Sequence, residues 1–176
     1  MGIINRIEVE RKEKDLFFKT DPQSPIPYKE RNDFTNFNYY SIKPEFRFTL
    51  ELYEHKDKKK TEVNDNKGNK QEFIRWGEFR FEINNKQISL QAYKSGPNEE
   101  MLWVPFKDET NKEETYGAGR YIDLDSIRDK EGDKWILDFN QAYNPFCAYS
   151  ENYVCPFIPP ENWLKVKIEA GEKKYH

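Results

Sequence analysis

Hydrophobic and polar positions change period once along this chain. Over residues 3–19, Ile3, Ile7, Lys14 and Phe17 or Phe18 recur at helical spacing with charges between them, which predicts a helix. "TDPQSPIP" then ends the pattern, because proline removes a backbone donor and pushes the preceding residue out of the helical region. From residue 34 the period is two. "FTNFNYY", "EFRFTLELYEH", "EFIRWGEFRFEI" and "KQISLQAY" alternate apolar with polar positions, as half-buried antiparallel strands do. "MLWVPF" (101–106), "RYIDLDSI" (120–127), "KWILDF" (134–139) and "WLKVKIEA" (163–170) extend the series to roughly eight to ten short strands.

The connectors agree with that reading. "NDNKGN" at 64–69 and the Asn84–Asn85 pair supply residues that tolerate the left-handed conformations of tight hairpins. The expected fold is mainly β, an antiparallel sandwich or flattened barrel with an N-terminal helix at about 3–19 and a β core at about 34–139. One stretch, "NQAYNPFCAYSENYVCPFIPPEN" at 140–162, follows neither period and is read as a long loop before a last strand at 163–170. A length of 176 residues suits a single domain, 1–176, able to bury its own core.

Composition sharpens the picture of the core. Thirteen Phe, eleven Tyr and four Trp make the apolar set unusually aromatic, and rings and β-branched residues favour sheet. The net charge of −3 leaves no clustered basic surface for nucleic acid. The basic run "HKDKKK" (55–60) is interrupted by Asp57 and reads as a solvated hairpin tip. No stretch approaches the roughly 18 to 20 apolar residues of a membrane span, and the start lacks the apolar core of a secretory signal. Arg6 stands where myristoylation needs Ser or Thr. The expected compartment is therefore the cytoplasm, the alternative being a mature secreted or periplasmic form. Oligomeric state is not legible.

Candidate chemistry gathers in the second half. "TYGAGRY" (115–121) matches neither a dinucleotide fingerprint nor a P-loop, and no cofactor is predicted. Its glycines admit a turn or bulge before a strand. Alternatively, Gly117 and Gly119 let backbone N–H groups line a concavity in which Arg120 clamps an anion. Arg120 could equally pair inside the fold with Asp108 or Asp138. Asp108, Glu113, Glu114, Asp138, Asn140, Asn144 and Asn162 could serve acid–base chemistry or satisfy loop backbone groups. Tyr116, Tyr121, Tyr143 and Tyr149, with Trp103, Trp135 and Trp163, could line a ligand pocket or fill the core. Cys147 and Cys155 are the only cysteines; a disulfide between them would close a nine-residue loop and contribute roughly 2 to 3 kcal/mol. A structural thiol pair, a redox switch and catalysis are the alternatives. With His55 and His176 the only histidines, no metal site is expected.

"ERKEKDLFFKTDPQSPI", "WVPFKDETNKEETYGAGRYIDL" and "LDFNQAYNPFCAYSENYVCPFIPPENWLKVKIEAGEK" together resemble the prokaryotic domain of unknown function 1684 over nearly the whole chain. The shared pattern runs from Phe106, Asp108 and Thr110 through Tyr116, Gly117, Gly119, Arg120 and Tyr121 to Asp138–Asn140, Tyr143–Pro145, Cys147, Cys155, Pro156 and Asn162. The resemblance implies no established reaction. Many relatives carry a secretion or lipoprotein signal, from which this chain departs. Three functions stay open. The first is a small-molecule-binding domain whose candidate residues are Tyr116, Gly117, Gly119, Arg120, Tyr121, Asp138, Asn140, Tyr143 and Asn144. The second is an enzyme, hydrolytic in one version, using Asp108, Asp138 or Glu114 beside Arg120. The third is a structural or interaction protein with no pocket.

Overall fold

A computed structural model describes residues 2–176. Helix α1 spans Ile3–Thr20, one residue beyond the expected end, and stops where Asp21 precedes Pro22. Nine strands follow: β1 (Arg47–Leu50), β2 (Tyr53–Glu54), β3 (Lys60–Asn64), β4 (Lys70–Ile83), β5 (Lys86–Lys94), β6 (Leu102–Phe106), β7 (Arg120–Leu124), β8 (Lys130–Glu131) and β9 (Lys134–Asp138). All pair antiparallel. One sheet has the order β2-β4-β5-β6-β7, with β3 also on β4, and the second has the order β1-β9-β8. The fold is thus mainly β, built from flattened sheets that do not close into a barrel. The β4–β5 hairpin turns at Asn84 and Asn85, both with positive φ (50° and 62°), the conformation that a two-residue turn requires.

The inward positions of the alternating strands meet in one core. Phe79, Leu90, Leu102, Phe106, Leu137 and Phe139 are fully buried there, each worth roughly 1.5 to 3 kcal/mol of apolar transfer. A second cluster joins α1 to the long loop through Phe18, Ile26, Phe34, Phe37 and Tyr149, largely edge to face.

Four expectations are corrected. Residues 34–40 form no strand: Phe34 and Phe37 turn into the second cluster, and only Tyr39 makes an isolated bridge, to Glu172. "HKDKKK" is not a hairpin tip. It bulges between β2 and β3, which both pair with β4, and the true tip is 65–69, where Gly68 has φ 84°. The segment 163–170 keeps its alternation, with Leu164, Val166, Ile168 and Ala170 buried, but it bends at Lys165 and Val166 and joins no ladder. The Leu164 N–H donates to the Lys107 carbonyl (2.8 Å) and the Glu109 N–H to the Val166 carbonyl (2.9 Å), and side chains satisfy much of the rest. Finally, Cys147 and Cys155 are free thiols, and the expected disulfide is not formed.

Candidate functional site

The glycine turn is fold chemistry. Gly119 has φ 98°, and a Cβ there would lie 2.7 Å from the Phe106 carbonyl and 2.1 Å from Ile158 Cδ1, so only glycine fits. That turn sends the Arg120 side chain inward, where it is fully buried. Its guanidinium donates to Asp108 Oδ1 (3.3 Å) and to the carbonyls of Ile168 (2.9 Å), Ala170 (2.5 Å) and Glu172 (3.2 Å). Asp108 Oδ2 in turn accepts from the Ile168 N–H (2.7 Å) and from Thr110 Oγ1 (2.8 Å). Arg120 and Asp108 therefore stand where a neighbouring strand would, satisfying the backbone of 168–172. Arg120 is not free to clamp a ligand, and Asp138 is not its partner: Asp138 pairs with Arg47 (3.2 Å) and accepts from the Asn140 N–H (2.9 Å).

The remaining candidates divide. Tyr121 and Tyr143 exchange backbone hydrogen bonds, which folds the long loop onto β7. Tyr121 also donates to the Pro156 carbonyl (2.5 Å). Asn144 is buried and donates to Glu172 Oε1 (3.2 Å) and the Lys173 carbonyl (2.9 Å). Tyr116 and Gly117 flank a small hollow beside Lys174 and Tyr175, on the other side of the loop. There the Tyr116 hydroxyl lies 3.6 Å from Cys147 Sγ, and the Cys147 N–H donates to Cys155 Sγ (3.3 Å). The hydrogen bond from Cys155 brings the Cys147 thiol down to about 7 against its burial, and the same bond drives Cys155 upward.

Asn140 and Tyr143 instead face a cavity of about 480 Å³ between α1 and the loop. One helical stripe, Ile7, Glu10, Arg11, Lys14 and Phe18, makes one wall, at the i, i+3, i+4, i+7 spacing that places side chains on one face. Ile122 and Asp123 of β7, residues 140–143 and Phe146 of the loop, Tyr39, Met101, Arg128 and Glu172 complete it. Lys14 Nζ holds Glu172 at 2.7 Å, and Glu172, with no exposure, also accepts from Tyr149 and Asn144. Arg11 donates only to backbone, to the Tyr40 carbonyl (3.0 Å) and the Asn140 carbonyl (3.2 Å), and stacks 4.2 Å above the Tyr39 ring. Arg11 Nε and the Tyr39 hydroxyl are buried with no partner. Burial lowers the Arg11 pKa and raises that of Tyr39. Tyr143 donates to Asp123 Oδ2 at 2.5 Å, and burial raises the Asp123 carboxyl above its usual range despite that bond.

Comparison with other proteins places this arrangement in a family. Residues 32–173 match a family described as a protein of unknown function, DUF1684. This chain belongs to the DUF1684 family. The solution NMR structure of an uncharacterised protein of Haloarcula marismortui shares its fold at a TM-score of 0.73 and 34% identity, covering 96% of this chain and 92% of that one. No curated protein matches. The match to DUF1684 begins after α1, so the helical wall of the cavity lies outside the matched residues. Arg11, Tyr39, Asp123 and Glu172 were not among the site residues that sequence reasoning singled out. The available signal was Arg11 and Lys14 lying in register with the buried Ile7 and Phe18: two cations on the inward face of a helix. Among the described residues, no three His, Cys, Asp or Glu side chains converge on a metal position, and no helix is long and apolar enough to cross a membrane.

Proposed function

We propose that this DUF1684 chain binds a small organic molecule in the cavity between α1 and the 139–146 turn. The observation that carries the reading is the cavity itself, about 480 Å³, in which Phe18, Ile122 and Tyr143 stand beside Arg11, Lys14 and Asp123. A hollow in which aromatic and aliphatic side chains stand beside polar groups that can fix orientation is the ordinary make-up of a ligand site. The binding reading thus moves from Arg120, whose terminal guanidinium nitrogens are held by Asp108 and three carbonyls, to the cavity between α1 and β7.

A fragment screen by amide NMR tests this. Hits should shift resonances of the α1 stripe and of 139–146 together, and Gln141→Trp, which puts a ring into the cavity from a half-buried position, should abolish them. Shifts that cluster elsewhere, or that survive Gln141→Trp, would sink the reading.

A second reading has one observation of its own. Asp123, held by Tyr143 at the cavity wall with its carboxyl raised by burial, has the disposition of a proton donor. It replaces Asp108, Asp138 and Glu114 in the enzymatic alternative. Asp108 and Asp138 are consumed as described, and Glu114 accepts from the Tyr40 hydroxyl (2.8 Å).

A further inference from the structure

Hydrogen-bonding capacity on the cavity wall is uneven: most donors are occupied and several acceptors are open. Lys14 Nζ donates to Glu172 at 2.7 Å and stands over the rings of Phe18, Phe37 and Tyr143. Arg11 gives both terminal nitrogens to carbonyls. Arg128 gives Nε and Nη2 to Asp129 and to the Asp123 carbonyl, leaving Nη1 on a half-exposed side chain. Asn140 Nδ2 and the Tyr143 hydroxyl are bonded as well. Gln141 Nε2 donates to Glu10 Oε2 at 3.2 Å, which turns the amide oxygen away from that carboxylate. Three wall oxygens receive no hydrogen bond from the described residues: Asp123 Oδ1, Gln141 Oε1 and Glu10 Oε1, the last only in a loose 3.5 Å ion pair with Arg6. All three keep solvent-accessible surface. Gln141 ties them together, since it bonds Glu10 and lies two residues from Tyr143, which holds Asp123.

The charges lean the same way. Arg128 lies among Asp129, Glu10 and Asp125 and also faces Asp123, so four carboxylates at this end stand against Arg128 and Arg6. The other cations are answered: Lys14 by Glu172, and Arg11 by Asp138, Glu8 and Glu172 around it. Resting on the cavity being the binding site, we infer that its occupant is an amine, its ammonium on Asp123 Oδ1 and the Gln141–Glu10 pair and its apolar body against Phe18, Ile122 and Tyr143. A primary ammonium carries three N–H donors for the three open oxygens. An acid would set its own oxygens against them. Because Asp123 and the amine share one proton, the bound pair is the same whichever of them brings it.

The test titrates the full chain at neutral pH with three ligands on one ring system, naphthylmethylamine, naphthylmethanol and naphthoate, read by amide NMR shifts of the α1 stripe and of 140–146. The amine should bind about tenfold more tightly than the alcohol, the scale of one charged hydrogen bond, and naphthoate more weakly than either. The trimethylammonium analogue keeps the charge without N–H donors and should fall behind the primary amine. Asp123→Asn still accepts from Tyr143 but carries no charge, and should bring the amine-to-alcohol ratio down to about two. Glu10→Gln, at an exposed position, should lower the same ratio about threefold. Equal affinity of amine and alcohol, tightest binding by naphthoate, or an amine advantage that survives both substitutions would overturn the amine assignment while leaving the cavity a binding site. A trimethylammonium analogue that binds as well as the primary amine would overturn the hydrogen-bonded geometry. If none of the three ligands shifts these resonances in a way that Gln141→Trp abolishes, the cavity reading itself falls.

Discussion

At the scale of single residues, the two thiols show how local hydrogen bonding separates like groups. Cys147 and Cys155 have the same chemistry and sit in one loop, yet the bond between them lowers one and raises the other. The thiolate is the nucleophile, so reactivity should follow the lowered partner. Iodoacetamide is expected to modify Cys147 first, with a rate that rises through a midpoint near 7, the value to which its thiol is drawn. Cys155→Ala removes the donor and should move that midpoint up. Peptide mapping of alkylated protein over a pH series reads both effects. Preferential labelling of Cys155 would show that the bond runs the other way. Sequence spacing alone could suggest a disulfide here, because it brings the two residues close without fixing how the sulfurs meet.

At the scale of elements, the segment 163–172 is a strand by pattern and a strap by bonding. Its inward side chains follow the sequence alternation, but backbone of 107–109 bonds its first half, and along 168–172 Arg120 and Asp108 supply the bonds that a partner strand would. Removing one member of a buried ion pair leaves a bare charge, which costs about 3 to 5 kcal/mol. Arg120→Met should lose that much in urea unfolding. Arg120→Met with Asp108→Asn should lose less than the sum of the single changes, by 1 kcal/mol or more, since the two act on one network. Additive losses would mean that Arg120 and Asp108 hold the strap independently of each other.

The same contrast marks what the sequence showed. Period-two stretches with flanking turn residues located most of the strands, and α1 ended at its proline-rich boundary within one residue. The rule failed where a side chain replaced a ladder, at 163–170, and where rings at period-two spacing served a helix-loop cluster, at 34–40. The role of Arg120 was open because a motif fixes residue types and not the direction in which a turn aims them.

At the scale of the molecule, the cavity sets stability against its own polar walls. The family region forms the sheets and the floor, and α1 brings Arg11 and Lys14 across it, so groups far apart in sequence are desolvated together. Asp123 shows the cost. Burial holds its carboxyl above the value it has in the unfolded chain, so the folded state keeps this proton to higher pH than the unfolded state does. Below the unfolded value both states are protonated and the acid costs nothing. As pH rises toward the folded value, the unfolded chain ionises first, and stability is lost. Asp123→Asn keeps an oxygen to accept from Tyr143 but cannot ionise. The variant should match the wild type in acid and become progressively the more stable protein toward neutral pH, as read by urea unfolding at several pH values. If the wild type instead gains on the variant as pH rises, Asp123 is a carboxylate stabilised by its surroundings, and the proton-donor reading fails.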